Sequence, residues 1–281
     1  MIVASLRHAY RLGALLRLLE LPKSSYHYQI ASEARPDRYA VERGLIREIF
    51  GRVHGRYGYR RIQAVLVREE GLCISGKTVL RLMAEEGCRC AVRRRRYRSY
   101  RGGGSAACED RLKRGFSAER PNQKWVTDVT EFGVDGEKVY LSPMIDLFNG
   151  EVISYAVSTS PSMALVREML EGAFPRLREG DRPICHSDQG WQYQQVGYRM
   201  MLENHGIEQS MSRKGNCLDN AAAESFFGHL KEEFYRGKRF ESVDSFTAEL
   251  REYIRWFNHD RIKLKLNGLS PVEYRTQSIV A

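Results

Sequence analysis

Trp125-Val-Thr-Asp128-Val-Thr-Glu-Phe132 is the stretch from which the fold can be predicted. Trp, Val, Thr and Phe favour extended backbone, so the stretch predicts a buried β-strand. Asp128 stands in its middle, and an ionised carboxylate is costly to bury unless something cationic compensates it. The strand therefore predicts both the start of a sheet and a candidate functional residue within it.

Residues 121–281 continue with alternating strand and helix patterns. Asn149-Gly150 separates two strand candidates, 137–148 and 151–157, and Asn-Gly between such runs is a strong hairpin signal. The elements expected after this hairpin are a helix at 162–174, a strand at 183–188, a helix at 194–205, a strand at 207–211 and helices at 219–235 and 243–257. Such an order predicts a mixed α/β sheet.

The first ninety residues predict helices only, as a segment at 1–34 and a domain at 35–90. Apolar spacing predicts helices at 41–53, 59–70 and 77–86, with Ser75 as the N-cap of the last one. A helix, a short glycine-containing turn and a capped second helix are consistent with a helix-turn-helix. The alternative is an ordinary three-helix bundle; the surrounding basic charge favours DNA contact.

The charge of this 281-residue chain is unevenly distributed. The formal net charge is +10, but residues 1–120 carry 26 Lys and Arg against 12 Asp and Glu, whereas residues 121–281 carry 19 against 23. A basic arm on a mildly acidic core indicates a polyanionic partner, and nucleic acid fits best. A solubilising charged surface is the alternative.

The strongest charge cluster lies in a basic linker, residues 91–120. Six arginines fall within nine residues, interleaved with two tyrosines, and no helix or strand period survives there. Such a run repels itself unless phosphates neutralise it, so we predict contacts to a DNA backbone, the alternative being a hinge with incidental charge. The DNA-binding residues predicted here are Arg93, Arg94, Arg95, Arg96 and Arg98.

Neither a zinc site nor a membrane segment is expected. The six cysteines show no metal-site spacing, so free thiols in a reducing cytoplasm are expected. The apolar stretch 12–21 is interrupted by Arg17 and Glu20, which argues against a signal peptide or a membrane span.

Two further carboxylates join Asp128 as candidates for chemistry. Asp188 ends a predicted core strand, and Glu224 lies on a predicted helix whose preceding alanines, 221–223, allow close approach to the sheet. Three hard oxygen ligands suit two Mg²⁺ or Mn²⁺ ions, with Asp128 as the bridging ligand in an in-line phosphoryl displacement. Taken alone, each carboxylate is better explained by a salt bridge or a cap.

The spacing and its flanking blocks make the triad specific. Asp188 and Glu224 have 35 residues between them. With this spacing the sequence resembles the DD(35)E transposases and integrases, specifically the second-frame product of the insertion-sequence-three family. The matching blocks are Trp125-Val-Thr-Asp128-Val-Thr, His186-Ser-Asp188-Gln-Gly, Ser210-Met-Ser-Arg-Lys-Gly-Asn216 with Asp219-Asn-Ala and Glu224-Ser-Phe-Phe, Phe257-Asn-His-Asp-Arg261, and Leu269-Ser-Pro-Val-Glu-Tyr274. The resemblance implies an RNase-H-like integrase catalytic core over 121–281 with a C-terminal helical tail, divalent metal dependence, and a 3′-hydroxyl joined to new DNA.

The resemblance also implies DNA contacts near the site. Lys231 follows Glu224 by two helical turns on the same face, where the family has a basic residue that contacts the transposon end; a solvated lysine is the alternative. Asn220 shares that stripe, and Arg213 and Lys214 begin a polar loop that could close over DNA or be a plain connector. His186 is expected to support the site rather than to react.

The partners implied are the element's terminal repeats, target DNA and at least a second copy of the chain on DNA, in a bacterial cytoplasm near the nucleoid. The family usually fuses an upstream DNA-binding frame to this one by frameshifting, so that protein, or the fusion with it, is a further expected partner. Two alternatives stay open: a non-catalytic DNA-binding regulator of transposition, and an RNase-H-type nuclease.

Overall fold

The computed structural model describes residues 2–33, 35–92, 108–213 and 220–280 of the chain. The predicted arginine run and Lys214 lie outside these residues. Within the described part, no helix combines the length and the apolar character that crossing a membrane requires.

The N-terminal region is entirely helical where it is described. Its helices are α1 (Ile2–Leu6), α2 (Leu12–Leu18), α3 (Lys23–Glu33), α4 (Ala40–Arg52), α5 (Tyr59–Glu70) and α6 (Gly76–Glu85). Gly71 ends α5 at a positive φ of 66°, and the Ser75 hydroxyl accepts a hydrogen bond from the Thr78 amide at 3.1 Å. The predicted N-cap is therefore confirmed, and α4, α5 and α6 surround one apolar cluster.

The second region contains a six-stranded sheet and five further helices among the described residues. The strands are β1 (Lys124–Thr127), β2 (Thr130–Val134), β3 (Glu137–Asp146), β4 (Glu151–Ser158), β5 (Ile184–Ser187) and β6 (Glu208–Met211). The helices are α7 (Met163–Ala173), α8 (Val196–Asn204), α9 (Ala221–Leu230), α10 (Val243–His259) and α11 (Pro271–Val280), with one π-helical turn at Lys231–Tyr235. The predicted mixed α/β class, preceded by an all-helical region, is confirmed.

The sheet combines antiparallel and parallel pairing. β3 pairs with β4 on one side and with β2 and β1 on the other, all antiparallel, and β1, β5 and β6 pair in parallel. Alternate side chains of the strands point to opposite faces, so each face carries its own core. One core packs against α9 and α10 and the other against α7 and α8.

The stretch predicted as one strand from Trp125 to Phe132 is interrupted. β1 ends at Thr127 and β2 begins at Thr130, although both follow one register along β3, with Thr127 opposite Met144 and Thr130 opposite Leu141. That register places Pro143 opposite Asp128, and a proline has no amide hydrogen to donate to the facing strand. Asp128 therefore lies in a gap between two strands rather than in the middle of one.

The helical region contacts the C-terminal tail directly. Ile262 belongs to the apolar cluster of α4, α5 and α6, and its amide donates to the Tyr57 hydroxyl at 2.9 Å. Arg56 donates to the carbonyl oxygen of Glu233 at 3.2 Å. The tail thus joins the helical region to the sheet region.

Candidate active site

Asp128 and Asp188 meet at one edge of the sheet because their strands are parallel neighbours. Trp125 pairs with Cys185 and Val126 with His186, and each aspartate is the first residue after its strand. Continuing that register places the two aspartates side by side, on strands about 4.8 Å apart. Carboxyl ends of parallel strands are where α/β proteins build sites.

Short local hydrogen bonds orient both carboxylates. Oδ1 of Asp128 accepts from the Val129 amide at 2.7 Å, and Oδ1 of Asp188 accepts from the Gly190 amide at 2.9 Å. A Cβ atom at position 190 would lie 2.9 Å from that same Asp188 oxygen. A larger residue at this position would therefore press on the Asp188 carboxylate.

Glu224 approaches from the helix that lies over this edge. α9 packs against β1, and Ala223 is fully buried beneath it, which is the close approach that the small residues predicted. Asn220, at the start of the helix, donates from Nδ2 to the Thr127 carbonyl oxygen at 3.4 Å. This contact ties the start of α9 to the end of β1, one residue before Asp128.

The negative charges of Asp188 and Glu224 both act on Asp128. Burial raises the pKa of Asp128 to about 7, and the negative charges of Asp188 and Glu224 add to the rise, while Lys231 opposes it. Burial also raises the pKa of Asp188. Concentrated negative charge of this kind is what a bound divalent cation would neutralise, and oxygen donors are the ligands that Mg²⁺ prefers.

Buried polar groups of Thr127, Tyr193 and Asn220 lie around this edge of the sheet. Among the described residues, Asn220 Oδ1 is buried without a hydrogen-bond partner, whereas the Thr127 and Tyr193 hydroxyls interact with each other. Burial is the main reason that the pKa of Tyr193 is raised, and the negative charges of Asp128 and Asp188 raise it further. Buried polar atoms without partners commonly mark a place for water or an ion. The donor chemistry therefore fits a divalent metal, although no three His, Cys, Asp or Glu side chains of the described residues are gathered closely enough to chelate one.

Lys231 lies on the same side of the molecule as the carboxylates. Its side chain is exposed, its ammonium stands 5.7 Å from the Phe132 ring centroid, and its charge lowers the pKa of both Asp128 and Glu131. It begins the π-helical turn that follows α9. Contact of Lys231 with DNA remains a prediction, and its exposed side chain is accessible for such a contact.

The other predicted DNA contacts have different surroundings. Arg213 is exposed at the edge of the described residues. Asn220 is only 3% exposed and faces β1, so its side chain is buried. Its contact with DNA remains a prediction. His186 is fully buried and bonds through Nδ1 to the Ser210 hydroxyl at 2.8 Å, which fits a supporting role.

Sequence reasoning missed Tyr193 and Thr127. Tyr193 lies in a 3₁₀ turn, Trp191–Gln194, five residues after Asp188. No periodicity marks this tyrosine, because only the fold brings it within reach of the charges of Asp128 and Asp188. The sequence shows that Thr127 is next to Asp128, but not that its hydroxyl interacts with Tyr193.

Comparisons with known proteins agree with this layout. Integrase core domain models match residues 118–217 and 224–279, and an HTH-like domain model matches residues 37–96. The chain is 49% identical over 277 residues to the putative transposase InsK for insertion sequence element IS150 of Escherichia coli (strain K12), covering 99% of this chain and 98% of that protein. It is 31% identical over 280 residues to transposase InsF for insertion sequence IS3A of the same organism, covering 96% of each.

Among solved structures, the HTLV-2 integrase catalytic core domain in complex with magnesium (trimeric form) matches 56% of this chain and 98% of that one, at 15% identity and a TM-score of 0.44. Asp128 and Asp188 fall in the first integrase core match, and Glu224 begins the second.

Proposed function

Since the chain belongs to the insertion-sequence transposases with an integrase core, the family of the IS150 and IS3 transposases, we propose that it cuts DNA at the ends of its element and joins those ends to new DNA through Asp128, Asp188 and Glu224. It is a protein of DNA transposition and integration, and an enzyme of the polynucleotidyl transferase type.

One observation carries the proposal, namely that the charges of two carboxylates from separate elements, Asp188 and Glu224, both act on the buried Asp128. Parallel pairing of β1 with β5 aligns Asp128 with Asp188, and the charge of Glu224 on α9 reaches Asp128. A structural salt bridge would pair each carboxylate with a cation, yet here the strongest influences on Asp128 are burial and the charge of Asp188. Charge of one sign held together in this way favours a metal-ion site.

Each residue then has a distinct part. Asp128 would be shared by both metal ions, while Asp188 and Glu224 would each hold one. Mg²⁺ or Mn²⁺, two ions in all, would supply activation of the attacking hydroxyl and stabilisation of the leaving 3′ oxygen. The amides of Val129 and Gly190 hold the two aspartates in position before DNA arrives.

DNA binding is assigned to the basic parts of the chain. The HTH-like domain, Arg213, Lys214 and Lys231 would contact the element end, and the arginine run 93–98 would follow the backbone by phosphate contacts that carry no sequence code. Joining two ends requires at least two copies of the chain on DNA. An upstream-frame DNA-binding protein, or a fusion with it, would contribute to end recognition.

The test uses a labelled duplex that carries the terminal sequence of the element. Purified protein, alone and fused to its upstream frame, is incubated with this DNA and Mg²⁺ or Mn²⁺, and nicking and joining are measured. Glu224→Gln should abolish both activities and leave DNA binding intact, because a neutral amide cannot replace the charge of a metal ligand. Glu171→Gln is the matched control, an exposed glutamate of α7 on the opposite face of the sheet.

The other outcomes decide between the remaining alternatives. DNA binding without nicking or joining, even in the fusion, would support the non-catalytic regulator and refute the enzyme. Cleavage without joining would support an RNase-H-type nuclease. Loss of DNA binding in Glu224→Gln would mean that Glu224 was assigned the wrong role.

A further inference from the structure

A cavity of about 480 Å³ lies between α9, the chain that follows α10 and the start of α5. Five basic side chains line it, and we call it the cationic pocket: Arg61, His229, Arg261, Lys263 and Lys265. Its volume falls in the range of ligand sites. None of these side chains belongs to the carboxylate site described above.

The positive charge of the cationic pocket is only partly balanced. Glu233 is shared by three of these side chains: Arg261 binds both of its oxygens, at 2.8 and 2.6 Å, while His229 Nδ1 lies 3.7 Å and Arg61 3.9 Å from one of them. The charge of Glu151 also acts on Lys263. Lys263 donates to the carbonyl oxygens of residues 149 and 150 rather than to a carboxylate. Among the described residues, no carboxylate oxygen lies within 4.0 Å of Lys263 or Lys265.

Burial makes this excess charge unfavourable in the free protein. Burial lowers the pKa of the Lys263 ammonium well below its usual range, and Arg261, Lys265 and Arg61 lower it further. The same ammonium stands 4.6 Å from the Phe257 ring centroid. Cations on an apolar floor bind an anion more strongly than the same cations in open water.

The cationic pocket and the active site flank one helix. Ser225 and His229 of α9 line the pocket, whereas Glu224 lies on a neighbouring stripe of the same helix and Lys231 begins the turn that follows it. The edge between them is exposed at Ser225 and Gly228. A strand crossing this edge would travel about one helix diameter, roughly 10–12 Å.

We propose that the cationic pocket binds a backbone phosphate of the DNA strand that runs from the active site across the exposed edge of α9. The proposal rests on the proposed function, since it needs DNA at the carboxylates. Arg61 comes from the HTH-like domain, His229 from the catalytic helix and Lys265 from the tail, so one phosphate would hold all three parts together. A phosphate offers the several acceptor oxygens that such a set of donors requires.

The test measures the salt dependence of DNA binding without metal. Binding of the full chain to a labelled 30-base-pair duplex of arbitrary sequence is followed by fluorescence anisotropy in EDTA, over a KCl series. Lys265→Gln and Arg61→Gln should each reduce the slope of log K against log salt by up to about 0.9, the value for one phosphate, so that the affinity lost between 50 and 200 mM KCl shrinks by up to about threefold. Arg167→Gln is the control, an exposed arginine of α7 on the other face of the sheet, and should keep the wild-type slope.

Several outcomes would overturn the proposal. Lys265→Gln and Arg61→Gln slopes equal to the wild type would remove the pocket from the DNA-binding surface, and an equal change in Arg167→Gln would show a general charge effect. The same titration with inorganic phosphate at constant ionic strength tests a free anion as the ligand. Competition by phosphate that depends on Lys265, with an unchanged slope, would assign the pocket to a free phosphate instead of DNA.

The two proposals can fail separately. The slope is measured without metal, so it does not depend on strand transfer. A reduced slope in Lys265→Gln, together with absent nicking and joining in the wild type, would keep the pocket and refute the catalytic function. Normal strand transfer with unchanged slopes would support the catalytic function and refute DNA binding by the pocket.

Discussion

Replacing Asp128 with asparagine should stabilise the metal-free protein, although it should also abolish strand transfer. The pKa of Asp128 rises from 3.8 to about 7 in the folded chain. Three units correspond to about 4 kcal/mol at 1.36 kcal/mol per unit. The side chain is half-buried, so solvent screening leaves about 2 kcal/mol as the expected gain in the free energy of unfolding.

The gain should depend on pH in a defined direction. Below pH 3.8 the carboxyl is protonated in both the folded and the unfolded chain, so it contributes no difference. Between 3.8 and about 7 the unfolded chain releases the proton first, and wild-type stability falls as pH rises. Asp128→Asn lacks this proton, so its advantage over the wild type should be small near pH 4 and complete above pH 7.

The assay is urea unfolding in EDTA, followed by tryptophan fluorescence, at pH 5 and pH 8. Asp135→Asn is the control, an exposed aspartate in the turn between β2 and β3, and should match the wild type at both pH values. Mg²⁺ should then raise wild-type stability, by about 2.7 kcal/mol at one hundred times its Kd, and leave Asp128→Asn unchanged. An Asp128→Asn protein less stable than the wild type at pH 8, or an equal response of both to Mg²⁺, would refute the repulsion argument and the metal site respectively.

Three further substitutions test other parts of the structure. Arg261→Met should lower the free energy of unfolding by about 3–5 kcal/mol, since it leaves the buried Glu233 carboxylate without two charged hydrogen bonds; a loss below about 1 kcal/mol in urea unfolding would contradict the burial of this pair. Ser75→Ala should cost about 1 kcal/mol in the same measurement, because α6 loses its side-chain cap, and an unchanged midpoint would show that the cap contributes nothing. Gly190→Ala should lower strand transfer about tenfold with little change in the unfolding midpoint, since the new Cβ would lie 2.9 Å from the Asp188 carboxylate oxygen and push it out of position; full activity would refute that role.

Much of the fold was predictable because its signals are local. The cap at Ser75 and the hairpin at Asn149-Gly150 depend on contacts within a few residues, and both appear where they were predicted. The helices of both regions follow from apolar spacing, although the helix predicted to run to Tyr235 changes to a π-helical turn at Lys231. A change of helix type depends on what the last turn packs against, which periodicity does not contain.

The candidate site likewise has features that the sequence predicts and features that only the fold determines. The sequence alone singled out Asp128, Asp188 and Glu224 as candidates, because an acidic residue in an apolar strand and a 35-residue spacing are properties of the chain order. Tertiary structure decided that Asp128 lies in a gap opposite Pro143, since strand pairing brings together residues fifteen apart. Tertiary structure also decided that the hydroxyl of Tyr193 is buried.

The cationic pocket was beyond any sequence pattern. Arg61 and Lys265 are separated by some two hundred residues, and each looks like an ordinary surface cation in its own segment. Residue types and their periods determine which elements form, because those are local interactions. Which charges share one low-dielectric cavity is decided only when the elements pack, because burial and the distance between distant residues are properties of the folded chain.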